Sequence, residues 1–132
     1  MDKQIQQVKE FHRAFGSNIG KSPIMPDPKE LALRQGLVME EAFEVCDELM
    51  DGKSIEKAAK ELTDLLYVTL GAMVSLGLQG VAERCFDAVH ISNMSKLDVD
   101  GKPIYREDGK VLKGPNYKPA DLSFLNQKNL GK

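Results

Sequence analysis

The sequence predicts an all-α protein, a bundle of four main helices followed by a short C-terminal β-hairpin. Apolar residues recur at helical spacing over most of residues 2–97. Helix start and stop signals divide that stretch into four segments. Beyond it, Asp-Gly pairs at 100–101 and 108–109 are typical of turns. A length of 132 residues suits one domain over 1–132, with a helical core over 2–97 and a C-terminal segment over 98–121.

The first two helices have recognisable boundaries. Apolar spacing predicts the first over residues 2–15, where a glycine follows. We expect a loop over 16–27, because glycines and prolines interrupt it. The second helix has the clearest start, with Asp27 as N-cap, Pro28 in the first helical position and Glu30 completing a capping box. The second helix is expected to run to about Met50 and to end at the Asp51-Gly52 pair.

The later elements follow the same rules. Ser54 caps a third helix that is expected to run to about Leu76. A fourth helix is expected roughly over 81–96. The turn signals on either side of 103–106 predict the β-hairpin. A last helical turn is expected over 122–125.

One side of the second helix carries a dense band of carboxylates. On a helical wheel these residues gather opposite the apolar ones. The band consists of Glu40, Glu41, Glu44, Asp47 and Glu48. Taken alone, it also fits an ordinary solvated face.

The third helix carries two more carboxylates in an unexpected place. From Leu62 onward it is apolar almost all round, which is typical of a buried helix. Glu61 and Asp64 nevertheless lie at its entrance, one turn apart. Unpaired buried charges are very costly. Lys57 could pair with Glu61 at i,i+4 spacing, but that pair would leave Asp64 unexplained.

A hard divalent cation would satisfy both acidic groups. The short turn between the second and third helices would pack them side by side, so that their carboxylates could face one another. Each uncompensated pair at ~4 Å would repel by roughly 4 kcal/mol. Oxygen ligands without His or Cys indicate Mg²⁺ or Mn²⁺ rather than Zn²⁺. Such an ion is typical of phosphoryl or pyrophosphoryl transfer to water.

The acidic residues also form a motif. They read E-E-x-x-E and then, after sixteen intervening residues, E-x-x-D. The carboxylates of the motif are Glu40, Glu41, Glu44, Glu61 and Asp64. The pattern resembles the signature of the all-α nucleoside triphosphate pyrophosphohydrolases, the MazG-like superfamily, which includes dimeric dUTPases and phosphoribosyl-ATP pyrophosphohydrolases. The similarity runs from about residue 8 to residue 123.

This resemblance implies a role for each carboxylate. The principal Mg²⁺ ligands would be Glu41, Glu44, Glu61 and Asp64. Glu40 would complete the site, either as ligand to a second ion or as the base for the attacking water. The ions would bridge the triphosphate, and water would attack the α-phosphorus to release pyrophosphate. The choice of base between Glu40 and Glu41 stays open.

Five later residues are candidate substrate contacts. Asn93 falls in the apolar stripe of the fourth helix, where it could contact base or sugar or be a hydrogen-bonded core residue. Lys96 could bind a phosphate or stabilise the end of the helix. The other three are Lys113, Tyr117 and Lys118. They belong to the C-terminal segment, which could close over a nucleotide as a lid or remain a solvated hairpin or dimer arm.

Composition excludes other classes of protein. A net charge of −2 without a basic stripe argues against a nucleic-acid partner. The longest apolar run, 65–76, is too short for a membrane span. Two cysteines, Cys46 and Cys85, are interpreted as reduced thiols, which fits a cytoplasmic protein.

A small bundle cannot cover so apolar a third helix, so we predict a homodimer or homotetramer with that helix near the interface.

The sequence therefore predicts a hydrolase of acid anhydrides. The leading prediction is Mg²⁺-dependent hydrolysis of a nucleoside triphosphate, with deoxynucleoside triphosphates favoured, to the monophosphate and pyrophosphate. This activity would serve housecleaning or control of dNTP pools. The alternative within the class is phosphoribosyl-ATP pyrophosphohydrolase. The alternative outside it is a non-catalytic helical interaction module.

Overall fold

The computed structural model describes residues 1–126, so the last residues of the predicted domain, 127–132, lie outside the description. Its elements are α1 (Asp2–Phe15), α2 (Pro28–Asp51), α3 (Ile55–Ser75), α4 (Ala82–Met94) and a 3-10 turn (Ser123–Leu125). No strand forms within residues 1–126, and the predicted all-α class with four helices is confirmed. None of the described helices is both long and apolar enough to cross a bilayer. The chain divides into two compact units, Met1–Gly80 and Val81–Lys132.

Local capping explains the boundaries of α2 and α3. The Asp27 carboxylate accepts a hydrogen bond of 3.0 Å from the backbone N–H of Glu30. α2 ends at Gly52, which adopts the left-handed conformation with φ of 63°. The Ser54 hydroxyl then accepts a bond of 3.2 Å from the N–H of Lys57 and starts α3. These positions agree with the sequence prediction to within one residue or two.

The predicted capping box forms only in part. The Glu30 carboxylate does not return to the N-cap. Its Oε1 instead accepts hydrogen bonds of 2.6 Å from Arg34 Nε and 2.7 Å from Ser75 Oγ. A charge-assisted bond in a partly buried position is stronger than a bond to an exposed backbone N–H, so the side chain points into the protein.

α2 and α3 form an antiparallel pair. Glu30, near the start of α2, contacts Ser75 at the end of α3, whereas the Gly52 turn joins the opposite ends. α1 also packs against α3. The buried apolar side chains of this unit come from all three helices: Ile5, Val8, Val45, Leu70 and Val74. The predicted packing of the second and third helices is therefore present.

A buried polar network links the three helices of the first unit. His12 Nδ1 lies 2.6 Å from the carbonyl oxygen of Asn18. The Asn18 side chain donates bonds of 3.0 Å to both the carbonyl and the hydroxyl oxygen of Ser75. The Ser75 hydroxyl continues the chain of bonds to Glu30, which also binds Arg34. His12, Arg34 and Ser75 are all buried, so the network replaces part of an apolar core.

In the second unit, the predicted β-hairpin is reduced to a turn. Tyr105 and Val111 form one isolated antiparallel bridge. The N–H of Arg106 donates a bond of 2.8 Å to the carbonyl of Lys110. The flanking residues are largely exposed and include Pro103, which has no N–H to donate. Without an apolar face to bury, the turn does not extend into strands.

The segment after this turn is fastened to α4. Gly114 donates its N–H to the carbonyl of Lys96 at 2.8 Å. The carbonyl of Lys118 accepts a bond of 2.7 Å from Ser92 Oγ, and its N–H donates to Ser95 Oγ at 2.9 Å. These bonds attach residues 114–118 to the last turn of α4 and to the residues that directly follow it.

Candidate metal centre

Three carboxylates from α2 and α3 lie together. Oxygen atoms of Glu41, Glu61 and Asp64 are all within 4.8 Å of one another. Glu41 comes from the middle of α2, whereas Glu61 and Asp64 occupy successive turns of one face of α3. The antiparallel pairing of the two helices brings this face against α2. The structure thus places together three of the five carboxylates of the motif.

Glu44 is joined to this group through Glu61. A hydrogen bond between the two carboxyl groups raises the pKa of Glu44, and the charge of nearby Glu41 adds to the shift. Two carboxyl groups approach this closely only with a proton or a cation between them. Glu44 thus lies beside Glu61 at the edge of the acidic cluster, although its side chain faces solvent.

One lysine partly compensates the cluster. Lys60 Nζ lies 2.8 Å from an oxygen of Asp64 and 3.2 Å from an oxygen of Glu61. These contacts raise the pKa of Lys60, with the bond to Asp64 contributing most. The partner of Glu61 is thus Lys60 and not Lys57, the residue that helical spacing had suggested. A single exposed ammonium leaves most of the negative charge uncompensated.

The chemistry of the cluster fits a hard divalent cation. Glu41 Oε2 is buried and has no hydrogen-bond partner. A buried carboxylate oxygen without a partner is costly, and a cation would remove that cost. The donors are oxygen atoms only, as Mg²⁺ and Mn²⁺ prefer. Glu41, Glu61 and Asp64 could hold the ion, with Glu44 adjoining them through Glu61.

Glu40 is placed differently from the other four motif carboxylates. It is exposed and lies outside the group of three oxygen ligands. On an α-helix, consecutive residues are about 100° apart, so Glu40 and Glu41 face different directions. Its role as a ligand or base stays a prediction.

The predicted substrate residues lie in the second unit. Lys96 Nζ donates a hydrogen bond of 2.8 Å to Asn93 Oδ1. Lys113 Nζ lies 4.5 Å above the centre of the Tyr117 ring, a cation–π contact. Lys118 is held by its backbone, and the residue is exposed. Four of the five predicted substrate residues thus form two pairs, Asn93 with Lys96 and Lys113 with Tyr117.

The alternative that Asn93 is a hydrogen-bonded core residue is wrong. Asn93 is exposed, and so are Phe86 and Val89 of the same stripe, by 64% and 44%. α4 is the only α-helix among residues 81–126, so no second α-helix of its own unit covers this side. The Asn93 side chain is therefore open to a ligand from solvent, although its Oδ1 already accepts the bond from Lys96.

One further acidic residue of α2 has a buried oxygen although no function was predicted for it. Glu48 Oε1 is buried without a hydrogen-bond partner, as is the oxygen of Glu41. Glu48 follows Glu44 by four residues and shares its side of the helix. That spacing was visible in the sequence, but a solvated face explained it equally well.

Comparison with protein families agrees with this geometry. The sequence profile described as phosphoribosyl-ATP pyrophosphohydrolase matches residues 8–93. The match contains α2 and α3 with every carboxylate of the motif. The chain matches none of the curated proteins with which it was compared. It belongs to the phosphoribosyl-ATP pyrophosphohydrolase family, within the MazG-like superfamily, and is therefore a pyrophosphohydrolase, a hydrolase that acts on acid anhydrides.

Proposed function

We propose that this pyrophosphohydrolase is Mg²⁺-dependent and converts a nucleoside triphosphate, preferentially a deoxynucleoside triphosphate, to the monophosphate and pyrophosphate. The observation that carries this proposal is the convergence of Glu41, Glu61 and Asp64 within 4.8 Å. In a cell the activity would remove non-standard triphosphates or adjust dNTP pools. Mn²⁺ has the same ligand preference and could replace Mg²⁺.

The carboxylates have distinct parts in the proposed reaction. Glu41, Glu61 and Asp64 hold the cation, and Glu44 completes its ligand set. When bound, the ion offsets charge on the phosphate oxygens and orients the triphosphate. Glu40 or Glu41 accepts a proton from the water that attacks the α-phosphorus. The bond from the α-phosphorus to the bridging oxygen breaks, and pyrophosphate leaves.

Residues of the second unit are proposed to bind the nucleotide. Lys96, Lys113 and Lys118 supply charge for phosphate groups. Asn93 has an amide that can read base or sugar, and Tyr117 offers an aromatic face. Since backbone bonds fasten residues 114–118 to α4, the moving part of the predicted lid would be confined to residues before Gly114.

The exposed apolar residues support a homodimer, with a homotetramer as the alternative. On α3, Leu62, Leu66 and Tyr67 are exposed. On α2, Met39 and Phe43 are exposed by 49% and 65%. Apolar side chains at helical spacing on two adjacent helices are typical of an interface. Light scattering on the purified protein would measure the oligomeric state, and a monomer at micromolar concentration would contradict the proposal.

A second substrate is favoured by the family match itself. The matching profile is described by phosphoribosyl-ATP, which is also a nucleoside triphosphate. The acidic cluster binds the triphosphate part common to both substrates, so it does not distinguish them. The non-catalytic helical module is disfavoured because the match includes every motif carboxylate.

An activity assay tests the proposal. The protein is incubated with Mg²⁺ and, separately, with each dNTP, each NTP and phosphoribosyl-ATP, and pyrophosphate release is measured. We expect release from at least one dNTP; release from phosphoribosyl-ATP alone would select the second substrate. Absence of turnover, together with no metal-dependent rise in melting temperature, would contradict catalysis and favour the interaction module.

A substitution tests the ligand assignment within the same assay. Glu44→Gln is expected to abolish turnover without changing the circular dichroism spectrum, because the amide keeps the shape but loses the charge. Asp47→Asn is the matched control, since Asp47 is an exposed carboxylate of the same helix. Full activity of Glu44→Gln would refute the assigned role.

A further inference from the structure

Glu48 carries a buried carboxylate oxygen that no group in the structure satisfies. Its Oε1 is inaccessible to solvent and has no hydrogen-bond partner. Glu48 follows Glu41 by seven residues and Glu44 by four, so the three side chains lie along one face of α2. Glu41 has a buried unpaired oxygen like that of Glu48, and the exposed Glu44 lies beside Glu61 of α3. Glu48 extends this face by one helical turn.

The nearby cations are engaged elsewhere. Lys53 Nζ bonds Asp51 at 2.7 Å, and its side chain is largely exposed. Lys60 Nζ bonds Asp64 and Glu61. Neither lysine contacts Glu48. The negative charge of the Glu48 carboxylate therefore has no compensating cation among the described side chains.

Space for water lies beside the Glu48 side chain, on the side of the turn that joins α2 and α3, although Oε1 itself is inaccessible to solvent. An open cavity of about 400 Å³ is lined by Glu48 and residues of the turn between α2 and α3. This volume holds several water molecules. A divalent cation such as Mg²⁺ usually keeps several of its waters when a protein binds it. Those waters are strong hydrogen-bond donors, whereas the orphaned oxygen is an acceptor.

We propose that Glu48 is a positioning residue of the cation site. Its buried carboxylate oxygen accepts a hydrogen bond from a water molecule bound to the divalent ion, on the side of the site where Glu44 and Glu61 lie. This inference rests on the proposed function, because it requires that the cluster bind a cation. It assigns a role to a residue outside the E-E-x-x-E…E-x-x-D motif. Outer partners of this kind commonly change metal affinity by about 10- to 100-fold.

The proposal has two consequences of opposite sign. In the metal-free protein, the Glu48 charge adds to the repulsion among the neighbouring carboxylates, so Glu48→Gln is expected to leave the melting temperature unchanged or raise it. In the metal-bound protein the same substitution removes an acceptor for the ion's waters and weakens binding. A purely structural role would change stability without changing metal affinity.

The test is calorimetric titration of the full chain with Mn²⁺, without nucleotide. Glu48→Gln is expected to weaken Mn²⁺ binding about tenfold. Asp47→Asn removes the same charge from an adjacent exposed position and is expected to change affinity less than twofold. Melting temperatures without metal are recorded for each variant, and Glu48→Ala serves as a second variant if the glutamine protein does not fold.

The outcomes separate the two proposals. Wild-type binding of Mn²⁺ with unchanged affinity in Glu48→Gln would overturn the role of Glu48 and leave the metal centre standing. Equal weakening in both variants would also overturn it, because the effect would then be general electrostatics. A wild-type protein that binds no Mn²⁺ would overturn the proposed metal dependence, and this inference with it.

Discussion

Ser75, in the last turn of α3, donates a hydrogen bond of 2.7 Å to Glu30, in the first turn of α2. The same carboxylate oxygen accepts a bond of 2.6 Å from Arg34. This contact fastens the antiparallel pair at the end opposite the Gly52 turn. Glu41 and Asp64 lie between the two fastenings, so the frame that positions the acidic cluster is fixed at both ends. Precise positioning of charged ligands depends on such supports.

Acid stability is expected to depend on Glu30. Burial by itself would raise the pKa of Glu30, but the bonds from Ser75 and Arg34 and the charge of Arg34 outweigh burial, and the pKa is lowered. A lowered folded-state pKa contributes stability that is complete above the unfolded value of about 4.3 and is lost as the pH falls through the folded value. Glu30→Gln should therefore lower stability at pH 7 by about 2 kcal/mol and flatten its decline below pH ~4.5.

Urea unfolding of wild type and Glu30→Gln at a series of pH values measures this difference. Glu10→Gln is the control, because Glu10 is an exposed glutamate on α1. If Glu30→Gln declined with acid as steeply as wild type, the assigned pKa shift would be wrong.

Gly71 is expected to resist substitution although it lies inside a helix. A Cβ at this position would lie 3.2 Å from His12 Nε2 and 3.7 Å from Arg34 Nη1. His12 is only 2% exposed, so it has little room to move. Gly71→Ala should therefore destabilise the protein by about 1–2 kcal/mol, although a helical Gly→Ala change ordinarily stabilises by up to about 1 kcal/mol.

Gly36 provides the matched control for this substitution. It also lies inside a helix, but a Cβ there would meet nothing within 4 Å. Gly36→Ala should stabilise the protein in the same urea experiment. A stabilising Gly71→Ala would show that the buried network around His12 is loosely packed.

The helix boundaries were predictable because capping is local. Asp27 and Ser54 each bond a backbone N–H three residues away, and such pairs are visible in sequence. The buried network was not predictable, because Asn18 and Ser75 are separated by 57 residues. Only tertiary packing brings such a pair together.

The acidic cluster shows where a helical wheel stops being informative. The wheel separated acidic from apolar residues on α2 correctly, but it could not say which side meets α3. In the structure Glu41 and Glu48 have buried oxygens, whereas Met39 on the apolar side is 49% exposed. Part of the carboxylate side therefore meets α3, although the like charges of Glu61 and Asp64 on that helix repel it unless a cation or proton intervenes. The apolar side is divided, since Val45 is buried in the core whereas Met39 is left for another surface.

Removal of Lys60 is expected to strengthen cation binding. Its ammonium group occupies oxygens of Asp64 and Glu61 and repels an incoming divalent ion. Lys60→Gln should tighten Mn²⁺ binding by about two- to fivefold at low salt, with a smaller effect at high salt because exposed charges are screened. Titration calorimetry at two salt concentrations measures both effects.

Lys57→Gln is the control for this experiment, because Lys57 lies one turn earlier on α3 and is exposed. Its loss should change affinity less than the loss of Lys60. Weaker binding in Lys60→Gln would mean that the lysine supports the ion site and does not compete for it.

Gly114 is expected to be essential for attaching the C-terminal segment to α4. A Cβ at this position would lie 2.4 Å from the carbonyl oxygen of Leu97, a backbone atom that cannot rotate away. Gly114→Ala should break the bond to Lys96 and loosen the attachment of Lys118 to Ser95. Amide hydrogen exchange at Lys118 should then be at least tenfold faster, because a loss of about 1.4 kcal/mol in local stability is sufficient for that change.

Gly80→Ala is the matched control, since a Cβ there meets nothing within 4 Å. It should leave exchange at Lys118 unchanged. Gly114→Ala should also raise KM for the triphosphate more than it lowers kcat, because the segment is proposed to bind substrate while the acidic cluster performs the chemistry. Unchanged exchange at Lys118 would show that the segment holds to α4 without the close approach of Gly114, and a fall in kcat alone would place the segment in the chemical step.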